Sequence, residues 1–283
     1  MSDPFKIEGP ALISFSGGRT SGYMLHRILQ AHGGTLPDDV HVTFANTGKE
    51  MPQTLDFVRD CGERWGVEII WLEYRSHAEK QKRFRCVTHA EASREGEPFT
   101  ALLRDKQFLP SPPMRFCTSD LKIFPMKHMA LTLGWAEWDV VLGLRADEQH
   151  RVAKSRVRSD RETWTNVMPL ASAGVTKETV QAFWRAQNFD LTLPNFRGKT
   201  HHGNCDFCFL KNTAVLQRLM REMPERAQWW IDAENNPDYA KNGRKFRFDR
   251  PDYAALLQGV RDQREFDYGA QDELIDCFCG DAA

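Results

Sequence analysis

Short apolar runs and amphipathic stretches alternate along the first 170 residues of the chain. Apolar runs at about 11–15, 40–45, 67–73 and 138–143, with a shorter one near 166–170, predict strands. Between them, 20–31, 52–65 and 118–133 carry apolar residues at helical spacing; Leu55, Val58, Cys61 and Trp65 fall on successive turns of one face. Strand and helix alternate in this way when a mostly parallel sheet is covered on both faces, so the predicted class is α/β, doubly wound. From about 171 the pattern becomes helices without intervening strands, at 176–188, 212–222, 225–234 and 251–261. The expected organisation is therefore an α/β domain over 1–170 and a helical C-terminal portion over 171–283. Residues 76–98, rich in Lys, Arg, Glu and His, read as an insertion loop before a helix near 99–107. Pro110, Pro112 and Pro113 then impose an extended approach to Arg115.

In a doubly wound sheet, ligands bind beyond the C-terminal ends of the strands, and three motifs fall there: residues 16–21, 46–50 and 143–148. The first is a short apolar run that enters a hydroxyl and glycine turn and opens directly into a helix. Ser14, Ser16 and Ser21 offer hydroxyls, while Gly17 and Gly18 let backbone N–H groups approach an anion. The helix from about Thr20 aims the positive end of its dipole at the same point, which predicts a phosphate site rather than an ordinary turn. Asn46, Thr47 and Gly48 form a small polar turn suited to an adenosine, and Glu50 lies just before a helix that starts near Pro52. Arg115, Lys122 and Arg145 are candidate anion ligands, since guanidinium and ammonium groups hold phosphate and sulfate oxygens. Beyond them, Arg151, Lys154, Arg156, Arg158 and Arg161 mix with acids in a segment that reads as a lid, a nucleic-acid contact or an exposed loop.

Composition narrows the setting. The 283 residues are 41% hydrophobic and 27% charged, enough for a sizeable core. No long apolar run and no charged-then-apolar leader is found, so no membrane span and a cytoplasmic location are expected. A formal net charge of −1 supplies no global attraction to nucleic acid. Seven cysteines in such a chain read as metal ligands, redox thiols or core residues rather than a disulfide framework.

The run SFSGGRTS resembles the SGGxDS pyrophosphate loop of the adenine nucleotide alpha hydrolase-like enzymes. Phe44-Ala-Asn-Thr-Gly-Lys-Glu50, Arg115-Phe-Cys-Thr-Ser-Asp-Leu-Lys-Ile-Phe-Pro125 and Gly143-Leu-Arg-Ala-Asp-Glu148 are similar to successive segments of the phosphoadenosine phosphosulfate reductase family. These matches span about 11–148, and Gly203-Asn-Cys-Asp-Phe-Cys-Phe-Leu-Lys211 extends the likeness to a divergent, cysteine-bearing branch. The resemblance implies that Ser14, Ser16, Gly17, Gly18, Arg19, Thr20, Ser21, Asn46, Thr47, Gly48, Glu50, Arg115 and Arg145 bind an adenine nucleotide, either an adenylyl sulfate or ATP with Mg. Thr20 departs from the pattern by replacing the usual Asp. The loss of that carboxylate counts against simple ATP pyrophosphatase chemistry, and Arg19 adds charge suited to a more anionic ligand.

The cysteines select the chemistry. Cys205 and Cys208 form a C-x-x-C pair, and Cys117 lies where related iron-sulfur reductases place cluster ligands, so the three are expected to share a centre, a 4Fe-4S cluster foremost. Those reductases carry adjacent cysteines where this chain has Phe116 and Cys117. Cys277, Cys279 and Cys86 are then candidate fourth ligands, unless the fourth site is open. Zinc is an alternative, closed by Cys205, Cys208, Cys277 and Cys279, and the C-x-x-C pair alone also fits a redox thiol pair. Cys61 reads as a core thiol. The tail segment Asp276-Cys-Phe-Cys-Gly-Asp281 compares with the Glu-Cys-Gly tail of sulfonucleotide reductases, which makes Cys279 a candidate nucleophile with Arg145 and Lys122 as catalytic cations. A cysteine on a cluster cannot at the same time be a free nucleophile. The leading expectation is a phosphoadenosine phosphosulfate reductase-like enzyme served by a thioredoxin-like reductant. The alternatives are an iron-sulfur ATP pyrophosphatase that activates a nucleic acid for sulfur insertion, and a non-catalytic nucleotide sensor.

Overall fold

The computed structural model describes residues 3–159, 162–195, 200–241 and 244–262. Six strands form one sheet in the order β4-β3-β2-β1-β5-β6. They are β1 (Ala11–Ser14), β2 (Val40–Asn46), β3 (Ile69–Tyr74), β4 (Phe84–Val87), β5 (Trp138–Leu142) and β6 (Trp164–Val167). All pairs are parallel except β3 with β4, and β1 lies between β2 and β5, with Ser14 opposite both Thr43 and Leu142. The chain winds outward from β1 in both directions, so the β1/β5 junction is the topological switch point.

Alternation along the strands sorts the core into two faces. Ala11 and Ile13 of β1 and Val141 of β5 enter one cluster with Met24 and Ile28 of α1 (Arg19–Ala31) and Leu55 and Val58 of α2 (Pro52–Trp65). Leu12, Val140, Trp138 and Trp164 enter the other, under Met129 and Ala130 of α5 (Phe124–Thr132). The first cluster continues into the C-terminal helices, through Trp184 of α8 (Lys177–Arg185), Leu216 of α9 (Thr213–Glu222), Trp230 of α10 (Gln228–Asn235) and Leu256 of α11 (Tyr253–Arg261). The fold is thus α/β with a doubly wound, mostly parallel sheet and a helical C-terminal part.

Three elements differ from expectation. The segment read as an insertion loop contains a 3-10 turn at Lys80–Lys82 and the antiparallel edge strand β4. The last strand lies at Trp164–Val167 rather than 166–170, because Pro169 opens the short helix α7 (Pro169–Ser172). The basic segment after 148 is a helix, α6 (Gln149–Ser159), rather than a loop. Helix α3 (Glu97–Lys106) follows β4, and α4 (Phe116–Thr118) runs through a π turn at Ser119–Ile123 into α5. Such π turns frequently occur at functional positions.

Candidate functional site

The loop after β1 leaves backbone N–H groups open and has no room for side chains. Gly17 has φ +77, and a Cβ there would lie 2.6 Å from Thr54, so only glycine fits without strain. Gly18 is the N-cap of α1 and supplies no side chain, leaving the first-turn N–H groups without a side-chain cap. Ser21 accepts from the Ser16 backbone N–H at 3.2 Å and shares a 2.9 Å hydroxyl contact with Ser16, which fixes the loop. Arg145, in the segment after β5, reaches across the switch point and donates to Thr20 Oγ1 at 3.2 Å while pairing with Asp147 at 2.9 Å and Glu148 at 3.5 Å. Where related loops carry a carboxylate, this one therefore places a hydroxyl that accepts from a guanidinium.

Arg19 is turned the other way. Its guanidinium pairs with Asp190 at 2.8 Å, donates to Thr200 at 3.1 Å and also bonds the Leu191 carbonyl. Together with Thr200, Gly203 and Asn204 it roofs a small cavity over Ser16, Gly17 and Gly18.

Beside this loop, at the switch point, lies a larger chamber. It encloses about 1050 Å³, part of it open to solvent, and its walls include Ser14, Ser16, Gly143, Lys122, Lys127 and Arg151. All the charged side chains of its lining are cationic.

The Asn46-Thr47-Gly48 turn is occupied by its own network. Asn46 is fully buried and donates to Glu73 at 2.6 Å and to the Ser93 carbonyl at 2.9 Å, while its oxygen accepts from Gly48 N–H. Thr47 donates to Glu50 at 2.8 Å and meets Cys205 Sγ at 3.5 Å. Glu50, rather than helping to open α2, accepts from Thr47 N–H and sits 3.7 Å from Lys122. Arg115 precedes α4 and donates from Nε to the Pro112 carbonyl at 2.9 Å.

Cys117, Cys205 and Cys208 line one cavity of about 400 Å³, together with Thr118 and Lys122. Desolvation pushes the Cys117 thiol up, with Cys208 and Cys205 adding to the shift. Desolvation, then Glu50, pushes Cys205 up to about 12. For Lys122, burial favours loss of the proton, but Cys205 and Glu50 more than offset it and the net direction is up. Among the described residues, no three His, Cys, Asp or Glu side chains gather closely enough for a single metal ion. Three thiols lining one cavity are donors of the type that an iron-sulfur group or a zinc ion takes. Cys86 lies on edge strand β4 opposite Leu72, and Cys61 is buried in α2; neither lines this cavity. Cys277 and Cys279 lie outside the described residues.

One supporting residue had a signal in the sequence that composition alone does not reveal: the acid inside C-D-F-C. Asp206 is fully buried, pairs with Lys49 at 3.2 Å and Arg226 at 3.0 Å, and accepts from Trp230 Nε1 at 2.8 Å. Its backbone N–H donates to the Lys49 carbonyl at 2.7 Å, which straps the cysteine loop to the turn after β2. Lys211 donates to the carbonyls of Cys205 and Asp206, and burial brings its pKa down to about 8.

Residues 10–193 match the phosphoadenosine phosphosulfate reductase domain. The chain belongs to that family. Relatives include a nin region protein of Escherichia phage lambda, 28% identical across 95% of both chains. A protein of Methanocaldococcus jannaschii is 37% identical over 79 residues, covering 28% of this chain and 16% of its own length. At family level the fold binds an adenine nucleotide and serves sulfur-related enzyme chemistry. No helix among the described residues is long and apolar enough to cross a membrane.

Proposed function

We propose that the chain is a phosphoadenosine phosphosulfate reductase-like enzyme that holds an adenylyl sulfate on residues 16–21 and acts on its sulfur beside the cysteine cavity. The observation that supports this reading is a shared wall: Thr118 and Lys122 border both the switch-point chamber and the cavity of Cys117, Cys205 and Cys208. Lys122 is thereby available to an anion on one side and to thiolates on the other. Arg145 and the α1 N–H groups would hold the nucleotide's phosphate, and Lys122 would stabilise charge developing on the group being transferred.

In this reading a thiolate, Cys279 on the tail, attacks the sulfate sulfur. The new S–S bond forms as the sulfur–oxygen bond to the nucleotide phosphate breaks, and the nucleotide leaves with the electron pair. An external thioredoxin-like dithiol then reduces the adduct, is oxidised to a disulfide and releases sulfite. Cys117, Cys205 and Cys208 would hold the iron-sulfur cluster, with Cys277 as a candidate fourth ligand; when bound, the cluster supplies a polarising, redox-active charge next to Lys122.

The test is sulfite release from adenosine 5′-phosphosulfate and its 3′-phosphorylated form, with a dithiol present. Lys122→Gln should lower turnover by about 10²–10³-fold with nucleotide affinity changed little. Equal activity in wild type and variant would remove Lys122 from the mechanism. The exposed basic side chains His150, Lys154 and Arg156 on α6 favour a second reading, ATP-dependent activation of a nucleic acid. Pyrophosphate release that depends on added nucleic acid, with no sulfite formed, would establish that reading instead.

A further inference from the structure

The loop that carries Cys205 and Cys208 is gripped by its backbone. Lys211 Nζ donates to the Cys205 carbonyl at 2.9 Å and to the Asp206 carbonyl at 2.6 Å, and Tyr253 Oη donates to the Phe207 carbonyl at 2.6 Å. The Lys211 N–H donates to the Cys208 carbonyl at 2.9 Å, and Arg250 to the carbonyls of Phe209 at 3.2 Å and Lys211 at 2.6 Å. Every carbonyl from Cys205 to Phe209 therefore has a donor. Lys211 and Arg250 are each 6% exposed and Tyr253 1%. None of the three lines the cavity of Cys117, Cys205 and Cys208, so they hold the loop from outside that space.

A buried cation calls for an answering charge, because carbonyl dipoles replace only part of the water it has lost. Among the described residues neither Lys211 nor Arg250 pairs with a carboxylate. Asp206, the acid of the loop, is already paired with Lys49 and Arg226. The Lys211 ammonium is within electrostatic reach of Cys208 and Cys205 as well as Asp206. A thiol offers it no charge, whereas a metal-bound thiolate does.

We propose that Lys211 and Tyr253 are positioning residues of the cysteine centre with separable roles. Tyr253 fixes the loop through a neutral hydrogen bond, while Lys211 fixes it and also sets an unanswered positive charge beside the thiolates. The inference rests on the reading that Cys117, Cys205 and Cys208 hold an iron-sulfur group. A nearby cation favours the more negative, reduced form of such a group, so the lysine three residues after the second cysteine raises its potential.

For the test, full-length protein is loaded with ferrous iron and sulfide without oxygen; iron retention against a chelator and the midpoint potential are then measured. The melting temperature of the unloaded protein reports folding. Lys211→Met should shift the potential to more negative values and lose iron about 10–100-fold more readily. Lys211→Gln, a second neutral variant that retains an N–H donor, should show the same shift in potential. Tyr253→Phe removes one hydrogen bond and no charge, so it should weaken retention about tenfold and leave the potential at the wild-type value. Wild-type potential and retention in folded Lys211→Met and Lys211→Gln would overturn the inference and leave the metal reading of the cavity standing. A shift of equal size in Tyr253→Phe would overturn the charge role by assigning the effect to loop geometry. A wild-type protein that takes up no iron would overturn both the inference and the reading beneath it.

Discussion

The carboxylate of Asp206 sits between two cysteines in the sequence and between two cations in space. Removing its charge would leave Lys49, almost wholly buried, without an anion 3.2 Å away, and would release Arg226 as well. Breaking a buried ion pair from one side costs about 3–5 kcal/mol, far more than the intact pair contributes, because the stranded charge cannot return to water. Asp206→Asn keeps the side chain's shape and an oxygen for Trp230, so the loss should fall near the lower figure and be read directly by urea denaturation. Adding Lys49→Met should recover part of it; a double variant no more stable than the sum of the singles would show that the charge was not the cause. At this scale much of the candidate site was legible, since a glycine pair, a C-x-x-C pair and cations after strands each carry their chemistry in their residue type. What Asp206 does was not, because a single acid reveals its partners only when Lys49 and Arg226 arrive from distant segments.

Among the elements, α1 is placed by a close approach. A Cβ on Gly22 would lie 2.7 Å from the ring of Trp184 and 3.2 Å from Phe57. Trp184 itself donates from Nε1 to the Arg19 carbonyl at 2.7 Å, so α8 packs on the first turn of α1. Overpacking such a contact costs about 1–3 kcal/mol. Gly22→Ala should destabilise by that amount in thermal denaturation, and Trp184→Phe, which removes the clashing ring carbon, should relieve it in the double variant. Destabilisation unchanged by the second substitution would locate the strain elsewhere. The strands flanking the switch point were readable because buried parallel strands are continuous apolar runs. Strand β4, Phe-Arg-Cys-Val, was not, since an edge strand is half polar and its neighbours are charged. Helix α6 escaped for a related reason: Val152 and Ser155 are its only buried described side chains, too few to make an apolar stripe.

Across the whole molecule, the site is assembled by folding the C-terminal side onto the strand ends. Cys117 and the Cys205–Cys208 loop meet at Lys122, and Thr200 and Asn204 line a small cavity with the loop after β1. Sequence alone placed each motif at a strand end or in a loop but had no measure of this closure, which depends on Trp184, Asp206 and Arg19 reaching between distant segments.

The clearest consequence of that closure concerns Arg19, whose charge is spent on Asp190 rather than offered to an anion. Asp190 has 40% of its side chain exposed, so the pair contributes about 0–1 kcal/mol to stability and Asp190→Ala should barely alter the melting temperature. Its effect on ligand binding should be larger and of the opposite sense. Arg19 remains beside Gly17 and Gly18 through Thr200 and the Leu191 carbonyl, now without a neutralising carboxylate, and a guanidinium free to take a charge-assisted hydrogen bond favours the anion. Pyrophosphate affinity of Asp190→Ala, measured by calorimetry, should rise by about tenfold. Arg19→Gln added to that variant should return it to the wild-type value. Weaker pyrophosphate binding in Asp190→Ala would mean instead that Asp190 holds Arg19 in the position an anion needs.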